Sequence, residues 1–295
     1  MVMPDAVSST HERAFRPIVL HGLYPGISRG LQADLLAIQA IGGRAYPICT
    51  THIAAGRGHV TDVLSVPSDT IAAHLEHLFE TEVPTCAKVG IVSDAPTIRD
   101  TLRSLAGHVD GPIILDATLS GPSGEDILAP GGVDVLLDHM AQADLVTVRR
   151  TDAELMAGMQ IPSLDDAQVA VQRLEQRGAE RVLLRCGRIP THHFDTDSSP
   201  PNFSVDLYYD GSDFALFEAP YLDGVGSIHG ASSGLLLSTL HAWQSDQTIE
   251  EALQISKARV TEALKEAQSA KDEQKVQTFF NALRHTPSIA VSERS

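Results

Sequence analysis

Apolar residues along the 295-residue chain fall into two alternating spacings. Short continuous runs predict buried strands: Pro17-Ile-Val-Leu-His-Gly22, 45–53, 86–92, Pro112-Ile-Ile-Leu-Asp116, Asp144-Leu-Val-Thr-Val148 and Arg181-Val-Leu-Leu-Arg185. Between them apolar positions recur at helical spacing, first at Leu31, Leu35, Ile38 and Ile41 before the Gly42-Gly43 stop, then at Ile71, Leu75 and Leu78 within 69–80. Further helices are predicted over 95–106, around Val135, Leu136 and His139 after Gly131-Gly132, and over 151–158 and 164–178. Strands separated by helices of this length form a parallel sheet covered on both faces.

The alternation stops after residue 188, which argues against a TIM barrel. A polar, Pro-rich loop at 189–202 leads to two β-like runs, Phe203–Tyr209 and Phe214–Phe217, joined through Asp210-Gly211, a hairpin signal. Helices follow at 231–243, 249–269 and 274–284. The expected organisation is a loose arm over 1–15, one α/β domain over 16–270, and a C-terminal helix and tail over 271–295.

A hydrophobic content of 43% is ample for a core, so the chain folds rather than remaining disordered. The net charge of −16 excludes a sequence-independent grip on nucleic acid or on an anionic membrane surface. No uncharged apolar run approaches the roughly 18 residues of a membrane span, and residues 1–15 lack the pattern of a secretory leader. Cys49, Cys86 and Cys186 form neither a CxxC pair nor an even framework. A cytoplasmic protein with a small-molecule or protein partner is expected.

Two loop-to-helix junctions carry candidate chemistry. The run Asp223-Gly-Val-Gly-Ser-Ile-His-Gly-Ala-Ser-Ser-Gly234 sets glycines and serines where the first N–H groups of a helix lack partners, which suits an anion. Locally the commoner role of Ser232 or Ser233 is to cap an apolar helix. The junction Gly22–Gly30 spells neither a Walker A loop nor GxGxxG. Asp34, on the first turn of a helix, complements its dipole in any protein, and Asp116 either faces a ligand or caps a loop. His192 and His193 have no metal-ligand spacing.

The order of Gly30-Leu-Gln-Ala-Asp34, Lys88-Val-Gly90, Ile114-Leu-Asp116, Ser123-Gly124, Asp206-Leu-Tyr-Tyr-Asp-Gly211 and Ala219-Pro220 … His229-Gly230 resembles the hydroxymethylpyrimidine/phosphomethylpyrimidine kinases of thiamine biosynthesis, over about 17–267. The resemblance implies a ribokinase-like three-layer α/β/α sandwich with a largely parallel central sheet. It also implies an ATP-dependent kinase acting on a small heteroaromatic alcohol or its phosphate, with Mg²⁺; a homodimer is a separate expectation. By the same resemblance, Arg185, Gly230, Ala231 and Ser232 bind ATP phosphates, Gly22, Arg29, Asp34 and Ala55 line the acceptor pocket, and Asp152 holds the metal. Gly230, Ser232 and Ser233 stand at the catalytic positions.

Several of these positions depart from the family pattern. The loop before the Gln-Ala-Asp segment reads Gly22-Leu-Tyr-Pro-Gly-Ile-Ser-Arg-Gly30 instead of a Gly/Ser-rich run, and Ala55 stands where a glutamine meets the pyrimidine edge. Asn-x-x-Glu becomes Arg149-Arg-Thr-Asp152, with Glu154 as a substitute acid, and the family lysine becomes Arg185. The signature His-Gly-Thr-Gly-Cys becomes His229-Gly-Ala-Ser-Ser233. A serine hydroxyl does not ionise near neutrality as a thiol of pKa about 8.5 partly does, so Ser233 is a poor unaided base. A catalytically silent ligand-binding or regulatory member, and a kinase for a pyridoxal-like alcohol, are the alternatives.

Overall fold

The computed structural model describes residues 14–25, 28–56, 59–121, 123–190, 202–245 and 247–286. Their apolar runs assemble one nine-stranded sheet in the order β3-β2-β1-β4-β5-β6-β7-β8-β9. The strands are β1 (Pro17–Leu23), β2 (Tyr46–Gly56), β3 (His59–Ser65), β4 (Cys86–Val89), β5 (Ile113–Ala117), β6 (Leu145–Arg149), β7 (Val182–Gly187), β8 (Phe203–Tyr209) and β9 (Phe214–Pro220). Every pairing from β2 to β7 is parallel, while β3 at one edge and β8 and β9 at the other are antiparallel.

Alternate residues of each strand serve opposite faces. Ile18 and Leu20 of β1 join the core under α2 (Ser68–Thr81), α3 (Ala95–His108), α4 (Gly132–His139), α5 (Arg150–Ala157) and α6 (Leu164–Gln176). Val19 joins the core under α1 (Leu31–Ala40), α7 (Ala231–Trp243), α8 (Ile249–Gln268) and α9 (Lys275–His285). The three-layer sandwich is therefore the one the chain's periodicities imply.

Three differences from the sequence reading have physical causes. Strand β3 was not expected, because His59-Val-Thr-Asp-Val-Leu-Ser65 lies on an edge with mostly exposed side chains and so lacks a continuous apolar run. Residues 1–13 of the expected arm lie outside the described residues, but Phe15 is buried, stacks edge-on against His241 and accepts a hydrogen bond from the Arg44 N–H. The helix set apart as a tail, α9, packs Phe279, Phe280 and Leu283 into the second core. His192 and His193, with most of the 189–202 loop, lie outside the described residues.

The strand order reverses direction at β1, with β2 on one side and β4 on the other. In such open sheets a crevice forms beyond the carboxyl ends of the strands at the reversal. The ends of β1, β5, β6 and β7 place His21, Asp116, Arg149 and Arg185 there.

Candidate active site

A cavity of about 320 Å³ opens at these strand ends and against the first turn of α7. Arg29, Asp116, Arg149, Arg185, His229 and Gly230–Ser233 are among its lining residues. A second cavity, of about 260 Å³, adjoins it and shares Arg185, Ala231 and Ser232. That chamber is mostly apolar, with Pro220, Val225, Leu235, Val260 and Leu264 in its wall. Lys257 and Asp206, paired at 2.7 Å, supply its polar end. Arg188 stacks on the ring of Tyr221, another wall residue, at 4.1 Å.

Helix α7 begins at Gly230, whose φ of 103° lies in the left-handed region, and no side chain caps it. The local expectation that Ser232 or Ser233 serves as the N-cap is thus corrected. Ser232 Oγ instead accepts a hydrogen bond from Arg185 Nη1, and Ser233 is buried against the cavity. A Cβ on Gly230 would strike the Phe280 ring of α9, so both backbone and packing demand glycine there. The first turn, Gly230–Ser233, lines the larger cavity, and the N-terminal end of a helix, with its unpaired N–H groups and dipole, favours an anion.

A charge network runs from the cavity lining, at Asp116, Arg185 and His21, to Lys88 and Asp34 buried behind it. Lys88 Nζ donates to both oxygens of Asp34 at 2.9 Å and lies 3.7 Å from Asp116 Oδ2. Arg185 Nη2 donates to Asp116 Oδ1 at 2.7 Å. Burial alone would raise the Asp116 pKa, but Arg185 and Lys88, with smaller help from His21 and Arg149, bring it below the ordinary carboxylate value. His21, wholly buried beside them, is pushed down to about 4 by desolvation and by Lys88, and its Nδ1 accepts from the Gly22 N–H at 2.8 Å.

The predicted acceptor residues are only partly brought together. Arg29 lines the cavity and donates from Nε to His229 Nδ1 at 3.1 Å. Burial and the neighbouring guanidinium both lower the His229 pKa, and its Nδ1 is the acceptor of the Arg29 bond. Asp34 does not reach the cavity, because the ion pair with Lys88 holds it fully buried under the floor. Gly22 also lies behind the wall, where a side chain would press on Ile53 and Ile91. Ala55 packs beside Tyr24 and Ile53 without reaching the lining. Lys88, Tyr24, His21 and His229 were not assigned roles from the sequence. A lysine inside the apolar Cys86-Ala-Lys-Val89 run was the available signal, since a buried ammonium requires acidic partners.

The Mg²⁺ implied at Asp152 does not fit the residues present. Asp152 is fully buried, its Oδ1 takes the Ser120 hydroxyl at 2.8 Å, and its Oδ2 takes Arg149 Nε at 2.7 Å. Glu154, the substitute acid, accepts from the Ile161 N–H at 2.9 Å. Among the described residues no three acidic, histidine or cysteine side chains are grouped to hold a metal.

The sequence model of the phosphomethylpyrimidine kinase family matches residues 25–277. The chain belongs to this family. Similar phosphomethylpyrimidine kinases include the hydroxymethylpyrimidine/phosphomethylpyrimidine kinase of Aquifex aeolicus, 26% identical over 80% of this chain and 89% of that one. The enzyme of the same name from Mycobacterium tuberculosis is 27% identical over 85% and 89% of the two chains. Among solved structures, pyridoxal kinase from Staphylococcus aureus in complex with AMP-PCP superposes with a TM-score of 0.73 at 21% identity, covering 86% of this chain and 89% of that one. Phosphomethylpyrimidine kinase from Clostridium difficile 630 gives 0.68 at 23% identity, covering 84% and 99%. The chain shares the ribokinase-like fold of these structures.

Proposed function

We propose that the protein transfers the γ-phosphoryl group of ATP to the hydroxyl or phosphate of a small heteroaromatic acceptor, with hydroxymethylpyrimidine or its phosphate as the first candidates. The observation that carries this reading is the pair of cavities meeting at the first turn of α7, one apolar and one cationic, with Arg185 in the wall of both. The apolar chamber suits an adenine ring beside Tyr221. The phosphates then lie along Gly230–Ser233 on backbone N–H groups and Arg185, and the acceptor sits opposite, between Tyr24, Arg29 and Ser120.

In-line phosphoryl transfer relies mainly on positioning and on stabilising the equatorial oxygens. Both are available here from α7 and the arginines. Ser233 can orient the acceptor hydroxyl but does not ionise near neutral pH, so the roughly 10²–10⁴-fold contribution of a positioned base is missing. A slow kinase is the expected result. Three unpaired cysteines support a cytoplasmic location, and the β3 edge with exposed Leu64 supports a homodimer.

The serine at 233 and the guanidinium on Asp152 favour a second reading, a catalytically silent member that binds nucleotide. ADP release from ATP separates the two when hydroxymethylpyrimidine, its phosphate or pyridoxal is supplied. Acceptor-stimulated ADP release is expected with the pyrimidine or its phosphate. Nucleotide-induced thermal stabilisation without turnover on any acceptor would sink the kinase reading and leave the silent binder.

A further inference from the structure

We propose that guanidinium charge takes the place of a protein-held divalent cation in this cavity, so that phosphate groups bind it without metal. The inference rests on the phosphate-binding reading above.

Arg149 ends β6 directly beside Arg185 on β7, so two guanidinium groups project side by side from neighbouring parallel strands. Arg149 fastens to the carboxylate that the family resemblance marks for a metal, with Nη2 2.6 Å from Asp152 Oδ2 and 2.9 Å from the Ser120 carbonyl. Arg149 lines the cavity, and among the described residues its Nη1 makes no hydrogen bond. Arg185 neutralises Asp116 in the same manner, leaving neither carboxylate free to ligate a cation. A dication approaching Asp152 would meet the Arg149 charge at contact distance, whereas an oxyanion there meets N–H donors.

Arg29 adds a third positive group and has no carboxylate within ion-pairing distance among the described residues. Among the described residues its hydrogen bond goes to His229 Nδ1, an acceptor that carries no negative charge. The three fields overlap: Arg29 and Arg149 both act on Tyr24, and Arg149 and Arg185 both act on Asp116. Arg29, Lys88, Arg149 and Arg185 meet Asp34, Asp116 and Asp152 here, and Glu125 also acts on Tyr24, so it is the placement of the guanidinium groups at the cavity wall, not a surplus of positive charge, that favours an oxyanion. Planar guanidinium forks match the spacing of phosphate oxygens and carry permanent charge, which a lost metal would otherwise have to supply.

Calorimetric titration of the full-length protein with ADP, and separately with inorganic pyrophosphate, in MgCl2 and in EDTA, tests this. Dissociation constants in EDTA within about threefold of those in MgCl2 are expected. R149N, with its fold checked by thermal melting, should bind pyrophosphate about tenfold more weakly in EDTA and recover on adding Mg²⁺, because Asp152 is then released. R149K, which keeps the charge, should stay metal-independent. Wild-type binding that requires Mg²⁺ overturns the proposal and leaves the kinase reading intact. R149N with wild-type affinity in EDTA overturns it as well, and failure of both ligands to bind in either buffer overturns both.

Discussion

Lys88 sits in a four-residue strand with 1% of its surface exposed, a placement that is tolerable only because Asp34 and Asp116 surround the ammonium. Replacing it with an apolar side chain strands Asp34 in a dry site, while Asp116 keeps Arg185. K88M should therefore lose about 3–5 kcal/mol of stability by urea denaturation, and K88M/D34L should regain part of that loss because one orphaned charge goes with it. The motif letters Lys88, Asp34 and Asp116 were legible in the sequence, but not their mutual contact. Pairing a strand residue with a helix residue across the sheet face is a tertiary event that neither residue's neighbours encode. The same holds for Arg149. Its sequence shows a cation where the resemblance places an amide, and only the packed structure shows that this cation holds Asp152.

Elements were read more reliably than contacts, because each strand and helix of the parallel region carries its own apolar rhythm. Strand β3 escaped for want of that rhythm, and α9 was visible as a helix without any sign of what it supports. Phe280 of α9 lies against Gly230, at the turn where α7 begins. G230A should cost about 2–3 kcal/mol, from a φ that disfavours a side chain and from collision with the ring. In G230A/F280A the collision is removed but the backbone strain persists, so a double-mutant cycle in urea should give a coupling of about 1 kcal/mol or more between these positions. Additive losses would mean that α9 does not brace this turn.

For the molecule as a whole, burial of a neutral histidine ties stability to acidity. The unfolded chain takes up a proton at His21 near pH 6.5, and the folded chain only near 4. Between those values the unfolded state binds more protons, so stability falls as pH drops through that window, by about 3 kcal/mol in total from this group. His229, also lowered, adds to the same trend. H21N keeps an acceptor for the Gly22 N–H but cannot titrate, so its stability should fall less than that of wild type between pH 7 and pH 5 in urea melts. Equal losses in the two proteins would remove His21 as the source.

The seat of Phe280 also bears on synthesis at the ribosome. The sheet and most of its helices can assemble as the polypeptide emerges, yet the turn that opens α7 has no brace until the last of the described helices has left the exit tunnel. A nascent chain stalled before that point would hold a nearly finished scaffold around an unfinished site.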